Sequence, residues 1–195
     1  MEIKEELRQK LRQMLTALNP RKREELSCLI AANLSQLKAF KEATGLLVFM
    51  SLPTEPKTDS LIQEALKEGR AVFAPRLQGE KLFFHRLYTC LDTPNLNHFG
   101  IREPNPCLPL FPHGLRDGAR VLVLVPGLVF DRQKNRLGRG QGFYDRFLKD
   151  LPASYPEYSF VRIGLCFHFQ LLKSIPCQAH DIPLDGIVTD CEILL

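Results

Sequence analysis

Two unbroken apolar runs, Leu46-Leu47-Val48-Phe49-Met50 and Val121-Leu122-Val123-Leu124-Val125, constrain this chain more than any other feature. Both have the length of a strand, and neither alternates apolar with polar residues. A strand with one wet face would alternate. A continuous run suits a strand covered on both faces, as in a parallel sheet sandwiched between helices. Strand and helix signals take turns along the rest of the chain. The expected fold is therefore α/β, a three-layer α/β/α arrangement with a mostly parallel central sheet. With 195 residues, 45% of them apolar, a single domain over 1–195 with a sizeable core is expected.

Two N-terminal helices precede the first run. Ile3, Leu7, Leu11, Met14, Leu15 and Leu18 recur at helical spacing, Asn19-Pro20 interrupts, and Leu26, Leu29, Ile30, Leu34, Leu37 and Phe40 mark a second stripe. A short helix is expected over 60–68, strands over 71–74 and 81–88, a helix over 143–150, and closing strands over 160–167 and 186–189. The stretch 89–119 holds five of the 14 prolines and reads as irregular. Structureless segments longer than about 12–15 residues are uncommon in compact domains and often functional. It is expected to cover a binding cleft.

Several function classes are disfavoured. No apolar run nears the ~20 residues needed to cross a bilayer, and the opening MEIKEELRQK lacks the basic-then-apolar pattern of an export signal. The expectation is a cytoplasmic protein without a membrane partner. Lys and Arg outnumber Asp and Glu only 26 to 22, a slight excess for a dedicated nucleic-acid binder, so no nucleic-acid partner is expected. The cysteines at 28, 90, 107, 166, 177 and 191 form no Cys-x-x-Cys pair and are expected to be reduced, mostly buried thiols. Five scattered histidines disfavour zinc; a metal here would be oxygen-ligated magnesium.

One segment carries chemistry: Pro126-Gly-Leu-Val-Phe-Asp131, then Asn135-Arg-Leu-Gly-Arg-Gly-Gln-Gly-Phe-Tyr-Asp145. Glycines at 138, 140 and 142 open backbone conformations closed to other residues and let N–H groups approach a ligand. A helix starting near Phe143 would add its partial positive charge, and Arg136 and Arg139 supply fixed charge suited to phosphate oxygens. The spacing matches neither the dinucleotide fingerprint nor a P-loop. Glycines alone would equally suit an ordinary tight turn, but five basic residues between Asp131 and Arg146 tip the reading toward a polyphosphate. Asp145, one turn into the helix, suits a Mg²⁺ ligand or simply a helix N-terminal acid. Asp181, beside Ile182-Pro183, reads from sequence alone as a turn residue. Two other classes stay open at this stage. One is a single-stranded RNA binder, because Arg-Gly-Gln-Gly-Phe-Tyr interleaves basic and aromatic residues. The other is a non-catalytic binder of a phosphate ligand.

The 126–145 segment resembles the signature of the 5-formyltetrahydrofolate cyclo-ligase (5,10-methenyltetrahydrofolate synthetase) family. Lys4-x-x-Leu-Arg8, the loop 49–55, Phe99-Gly-Ile-Arg-Glu-Pro104 and His180-Asp-Ile-Pro-Leu-Asp185 extend the resemblance over nearly the whole chain. It implies an ATP- and Mg²⁺-dependent closure of 5-formyltetrahydrofolate to 5,10-methenyltetrahydrofolate, with release of ADP and phosphate, by a monomer acting on a small molecule. Lys4 and Arg8 would reach ATP phosphates, although both also suit a solvated helix face. Arg136, Leu137, Gly138, Arg139, Gly140, Gln141, Gly142, Phe143 and Tyr144 would hold ATP, with Arg139 and Tyr144 catalytic. Met50 and Glu55 would contact the pterin, joined on the substrate by 139–143; core packing and a solvated side chain are their plainer readings. Arg102 and Glu103 would line the cleft, and Asp145 and Asp181 would hold the metal. Phe143 stands where many members carry a Tyr, removing a hydroxyl while keeping an aromatic face. Gln141 replaces a common Lys or Gly.

Overall fold

The computed structural model describes residues 2–178 and 181–195; His180, at the head of the 180–185 stretch, lies outside them. The elements run α1 (Glu2–Ala17), α2 (Pro20–Gln36), α3 (Lys38–Glu42), β1 (Gly45–Leu47), α4 (Asp59–Lys67), β2 (Ala71–Gln78), β3 (Lys81–Leu87), β4 (Asn95–Leu96), β5 (Arg102–Glu103) and β6 (Arg120–Val125). They continue with β7 (Val129–Asp131), β8 (Arg136–Leu137), α5 (Phe143–Ser154), β9 (Ser159–Leu165), β10 (Leu171–Leu172), β11 (Gly186–Val188) and β12 (Ile193–Leu194). Among the described residues, a seven-stranded sheet has the order β12-β11-β9-β6-β1-β2-β3. Its inner strands are parallel; β3 and β12 pair antiparallel at the two edges.

The continuous apolar runs have the structural meaning their pattern demands. Along β6, Leu122 and Leu124 join the core formed with α1, α2, α3 and α4, whereas Val121, Val123 and Val125 join the core formed with α5. Side chains alternate across a strand, so a run buried residue by residue requires cover on both faces. The three-layer architecture follows. No helix among the described residues is long and apolar enough to cross a membrane.

Several local expectations need correction. The first apolar run stays buried to Met50, but its ladder ends at Leu47. Beyond it, the Thr58 hydroxyl donates to the Phe49 carbonyl at 2.8 Å and the Ser51 hydroxyl to that of Pro56 at 2.7 Å. The Thr58 hydroxyl there satisfies a carbonyl of the run that a strand neighbour would otherwise satisfy, and the Ser51 bond closes the loop that follows. In the helical stripes Leu11, Leu15, Ile30 and Leu34 are buried, whereas Ile3, Met14 and Leu29 are exposed. Met14 and Leu29 each sit one residue, about 100° of helical rotation, before a core leucine or isoleucine. The second stripe is no single helix, because Leu37 adopts an extended conformation between α2 and α3. Of the cysteines, only Cys166 is buried and Cys90 is half-buried; Cys28, Cys107, Cys177 and Cys191 are exposed. Most of them occupy loops, outside the sandwich.

Candidate active site

The sheet has one place where successive connections diverge. From β1 the chain crosses through α4 to β2 on one side, and from β6 it crosses through α5 to β9 on the other. β1 and β6 are neighbours, so their carboxyl ends open a crevice, the position at which α/β sheets bind ligands. A cavity of about 540 Å³ lies there. Phe49 and Met50 enter it directly after β1, Pro126 and Gly127 directly after β6, and Pro75 and Leu77 from β2. The proline-rich stretch contributes Asn97, Phe99, Ile101 and Glu103.

The glycine segment forms the opposite wall, between β8 and α5. Gly140 and Gly142 take left-handed conformations (φ +107° and +67°), which side-chain-bearing residues rarely adopt. Gly138 does not; a side chain there would press on the Arg136 guanidinium, 3.0 Å from where its Cβ would stand. The loop is braced from behind by α1. Arg8 Nε donates to the Gly138 carbonyl at 3.0 Å, and Arg12 Nη2 to that of Arg139 at 3.4 Å.

Charged groups of the site are paired with one another. Arg136, buried, pairs with Asp145, donates to the Pro126 carbonyl at 3.2 Å and lies over the Tyr144 ring at 5.9 Å. Arg139 donates from Nε and Nη2 to Glu55 Oε1 at 3.3 and 3.2 Å. Lys4 Nζ meets Asp181 Oδ2 at 3.2 Å. The Tyr144 hydroxyl is buried and has no hydrogen-bond partner among the described residues. Burial, then the nearby Glu55 charge, push its phenol above the usual range, so it stays a proton donor. Phe99 and Phe143 face each other edge-on, with ring centroids 6.5 Å apart.

Most residues singled out by sequence converge here. Met50, Glu55, Arg136, Gly138, Arg139, Gln141, Gly142, Phe143, Tyr144 and Asp145 line the cavity. Lys4, Arg8, Leu137, Gly140 and Asp181 are not among the lining residues; Lys4 and Arg8 sit on the α1 side of the loop. Arg102 turns away to pair with Asp59, whereas Glu103 lines the cavity, as neighbours on a strand must point to opposite sides. Sequence reasoning assigned no site role to Arg12, Thr54 or Phe99, although Thr54 and Phe99 lie in stretches that carry the family resemblance. Arg12 was findable, since Lys4, Arg8 and Arg12 recur every fourth residue on one face of α1. The signal at Phe99 was its motif, which does not say which side chain enters the cleft.

Comparison with known proteins agrees over the full length. A family model described as the 5-formyltetrahydrofolate cyclo-ligase family matches residues 1–190. A probable 5-formyltetrahydrofolate cyclo-ligase of Caenorhabditis elegans is 30% identical over 198 residues, covering 100% of this chain and 96% of the relative. The 5-formyltetrahydrofolate cyclo-ligase of Haemophilus influenzae is 32% identical, covering 96% and 95%. Among solved structures, the NMR structure of the 5,10-methenyltetrahydrofolate synthetase of Aquifex aeolicus superposes with a TM-score of 0.78 at 28% identity, covering 98% of this chain and 91% of that one.

Proposed function

The chain belongs to the 5-formyltetrahydrofolate cyclo-ligase family, and from that premise we propose that it closes 5-formyltetrahydrofolate to 5,10-methenyltetrahydrofolate at the expense of ATP, releasing ADP and phosphate. One observation carries the reading. The cationic glycine loop and the Met50–Glu55 wall line a single cavity and touch through Arg139 and Glu55. A volume of about 540 Å³ falls in the range of small-molecule sites.

The chemical difficulty is the formyl oxygen, which leaves poorly. Transfer of the γ-phosphoryl group to that oxygen makes it a good leaving group. N10 then attacks the activated carbon, phosphate departs and the N10 proton is lost. The protein's share is positioning and charge stabilisation. Phe49, Met50, Phe99 and Phe143 supply apolar surface that excludes water from the reacting carbon. Glu55 orients the pterin. Arg139 and the loop N–H groups offset charge on the transferring phosphoryl group. The Tyr144 hydroxyl, protonated and without an internal partner, is a spare donor for a bound oxygen.

The donor chemistry suits magnesium. Asp145 is half-exposed at the cavity wall, and Asp181 joins the loop across α1 through Lys4. No cluster of three His, Cys, Asp or Glu exists among the described residues. One or two carboxylates completed by phosphate oxygens and water is a coordination Mg²⁺ accepts. Bound there, the ion would neutralise phosphate charge, in exchange for the contacts Arg136 and Lys4 now make to those acids. The reading includes a cytoplasmic monomer acting on a small molecule, with neither nucleic acid nor membrane as partner.

Incubation of the purified protein with ATP, Mg²⁺ and 5-formyltetrahydrofolate tests the proposal. The methenyl chromophore should accumulate with ATP and not without it. Folded protein that produces no such absorbance with all three present would overturn the reading.

A further inference from the structure

Glu55 is a buried carboxylate, 8% exposed, in the turn between β1 and α4. Its Oε2 accepts the Leu52 N–H at 3.0 Å, so its own loop fixes its orientation. The remaining oxygen takes two donors from one edge of a planar group, Arg139 Nε and Nη2 at 3.3 and 3.2 Å. A 2-amino-4-oxopterin offers the same pattern, since its N3–H and 2-amino N–H are adjacent, coplanar donors on one edge. Guanidinium and pterin therefore compete for one carboxylate. A buried carboxylate stripped of donors is costly, so Arg139 leaves readily only when a substitute arrives.

Arg139 is built to make that exchange. Its carbonyl is held by Arg12 and the preceding carbonyl by Arg8, so the backbone at 138–139 is anchored. Its side chain is 38% exposed and, among the described residues, is further tethered only by the Thr54 hydroxyl at 3.2 Å. Rotation about the side-chain bonds suffices to move the guanidinium from Glu55 to the anion-binding face of its own loop.

We infer that Arg139 is an internal stand-in for the pterin: seating the folate on Glu55 releases this arginine for the triphosphate, so the two substrates bind with positive coupling. The inference rests on the substrate assignment proposed above. It also assigns Glu55 a second task. While unliganded it withholds the arginine, so the phosphoryl donor is fully engaged only once an acceptor is seated.

Equilibrium binding of a non-hydrolysable ATP analogue, adenylyl imidodiphosphate with Mg²⁺, provides the test. Saturating 5-formyltetrahydrofolate should tighten analogue binding roughly five- to tenfold, and the analogue should tighten folate binding by the same factor, as linkage requires. In Glu55→Gln the analogue alone should bind as tightly as it does to the folate-loaded parent, with the coupling gone. Thr54→Val removes the hydroxyl that tethers Arg139 while keeping Glu55 and Arg139; it should strengthen analogue binding without folate by roughly two- to threefold. That variant and the parent measurement decide the matter should Glu55→Gln fail to fold. Independent binding of the two ligands, in protein that converts both, overturns this inference alone. Absence of folate binding and of turnover overturns the substrate assignment with it.

Discussion

Two regions hold carboxylates away from bulk water, one fully and one in part, and they handle them in opposite ways. In the turn after β7, Asp131 is 1% exposed and has no cationic partner among the described residues; it accepts the N–H groups of Gln133, Asn135 and Ile175 and the Asn135 side-chain amide. Every one of those donors belongs to the turn or to the segment packed over it, and none can be exchanged. In the cleft, Glu55 and Asp145 face the cavity and are met by the guanidinium groups of Arg139 and Arg136. A carboxylate saturated by backbone amides fixes a fold. One satisfied by an arginine at the edge of a cavity keeps a partner that a ligand can replace.

Substitutions should separate the two regions by what they damage. Asp131→Ala leaves several buried N–H groups unsatisfied and should lower stability by about 3–5 kcal/mol in denaturant titration. A variant as stable as the parent would break the contrast. Among the described residues, Arg139→Ala leaves Glu55 only the Leu52 N–H and should cost about 1–3 kcal/mol of stability, less than Asp131→Ala, while lowering kcat by an amount equivalent to ~2–4 kcal/mol of transition-state stabilisation. An unaltered turnover number would remove Arg139 from the chemical step.

Asp185 sharpens the structural side. Burial acts to raise its pKa, but the Arg162 side chain, backbone N–H and charge together outweigh burial and hold it below the ordinary carboxylate value. Its stabilising contribution is therefore complete above pH ~4 and is lost as the pH falls through the depressed folded-state value. Because the pair is partly exposed, Asp185→Asn should cost only about 1 kcal/mol at neutral pH and flatten the acid limb of the stability profile. Tyr144→Phe is the smallest expected change to the fold, a gain of up to ~1 kcal/mol, since it removes a buried hydroxyl with no internal partner. Turnover should fall in the same variant. Unchanged turnover would return Tyr144 to the packing residues.

The sandwich was legible because its evidence is local: an apolar run without alternation admits few other environments. The glycine loop was legible for a similar reason, with its unusual backbone, its cations and the following helix start lying within a dozen residues. Elements assembled from afar were harder. Nothing near Phe99 says that it meets Phe143, and neighbouring positions on β5 send Glu103 to the cleft and Arg102 to Asp59. The end of β1 is not legible in the apolar run because burial and strand pairing are separate properties. They part company after Val48, whose N–H still reaches the Phe73 carbonyl at 2.9 Å; at Phe49 apolar packing continues while the Thr58 hydroxyl takes the carbonyl.

The grip of α1 on the loop has a consequence at the level of single peptide planes. In a trans peptide the C=O and the next N–H point in opposite directions. Arg8 and Arg12 hold the carbonyls of residues 138 and 139 toward the helix, and so turn the amide hydrogens of residues 139 and 140 outward from it. The first helix thus aligns two dipoles at a distance, and loss of its two guanidinium groups would let those planes spin.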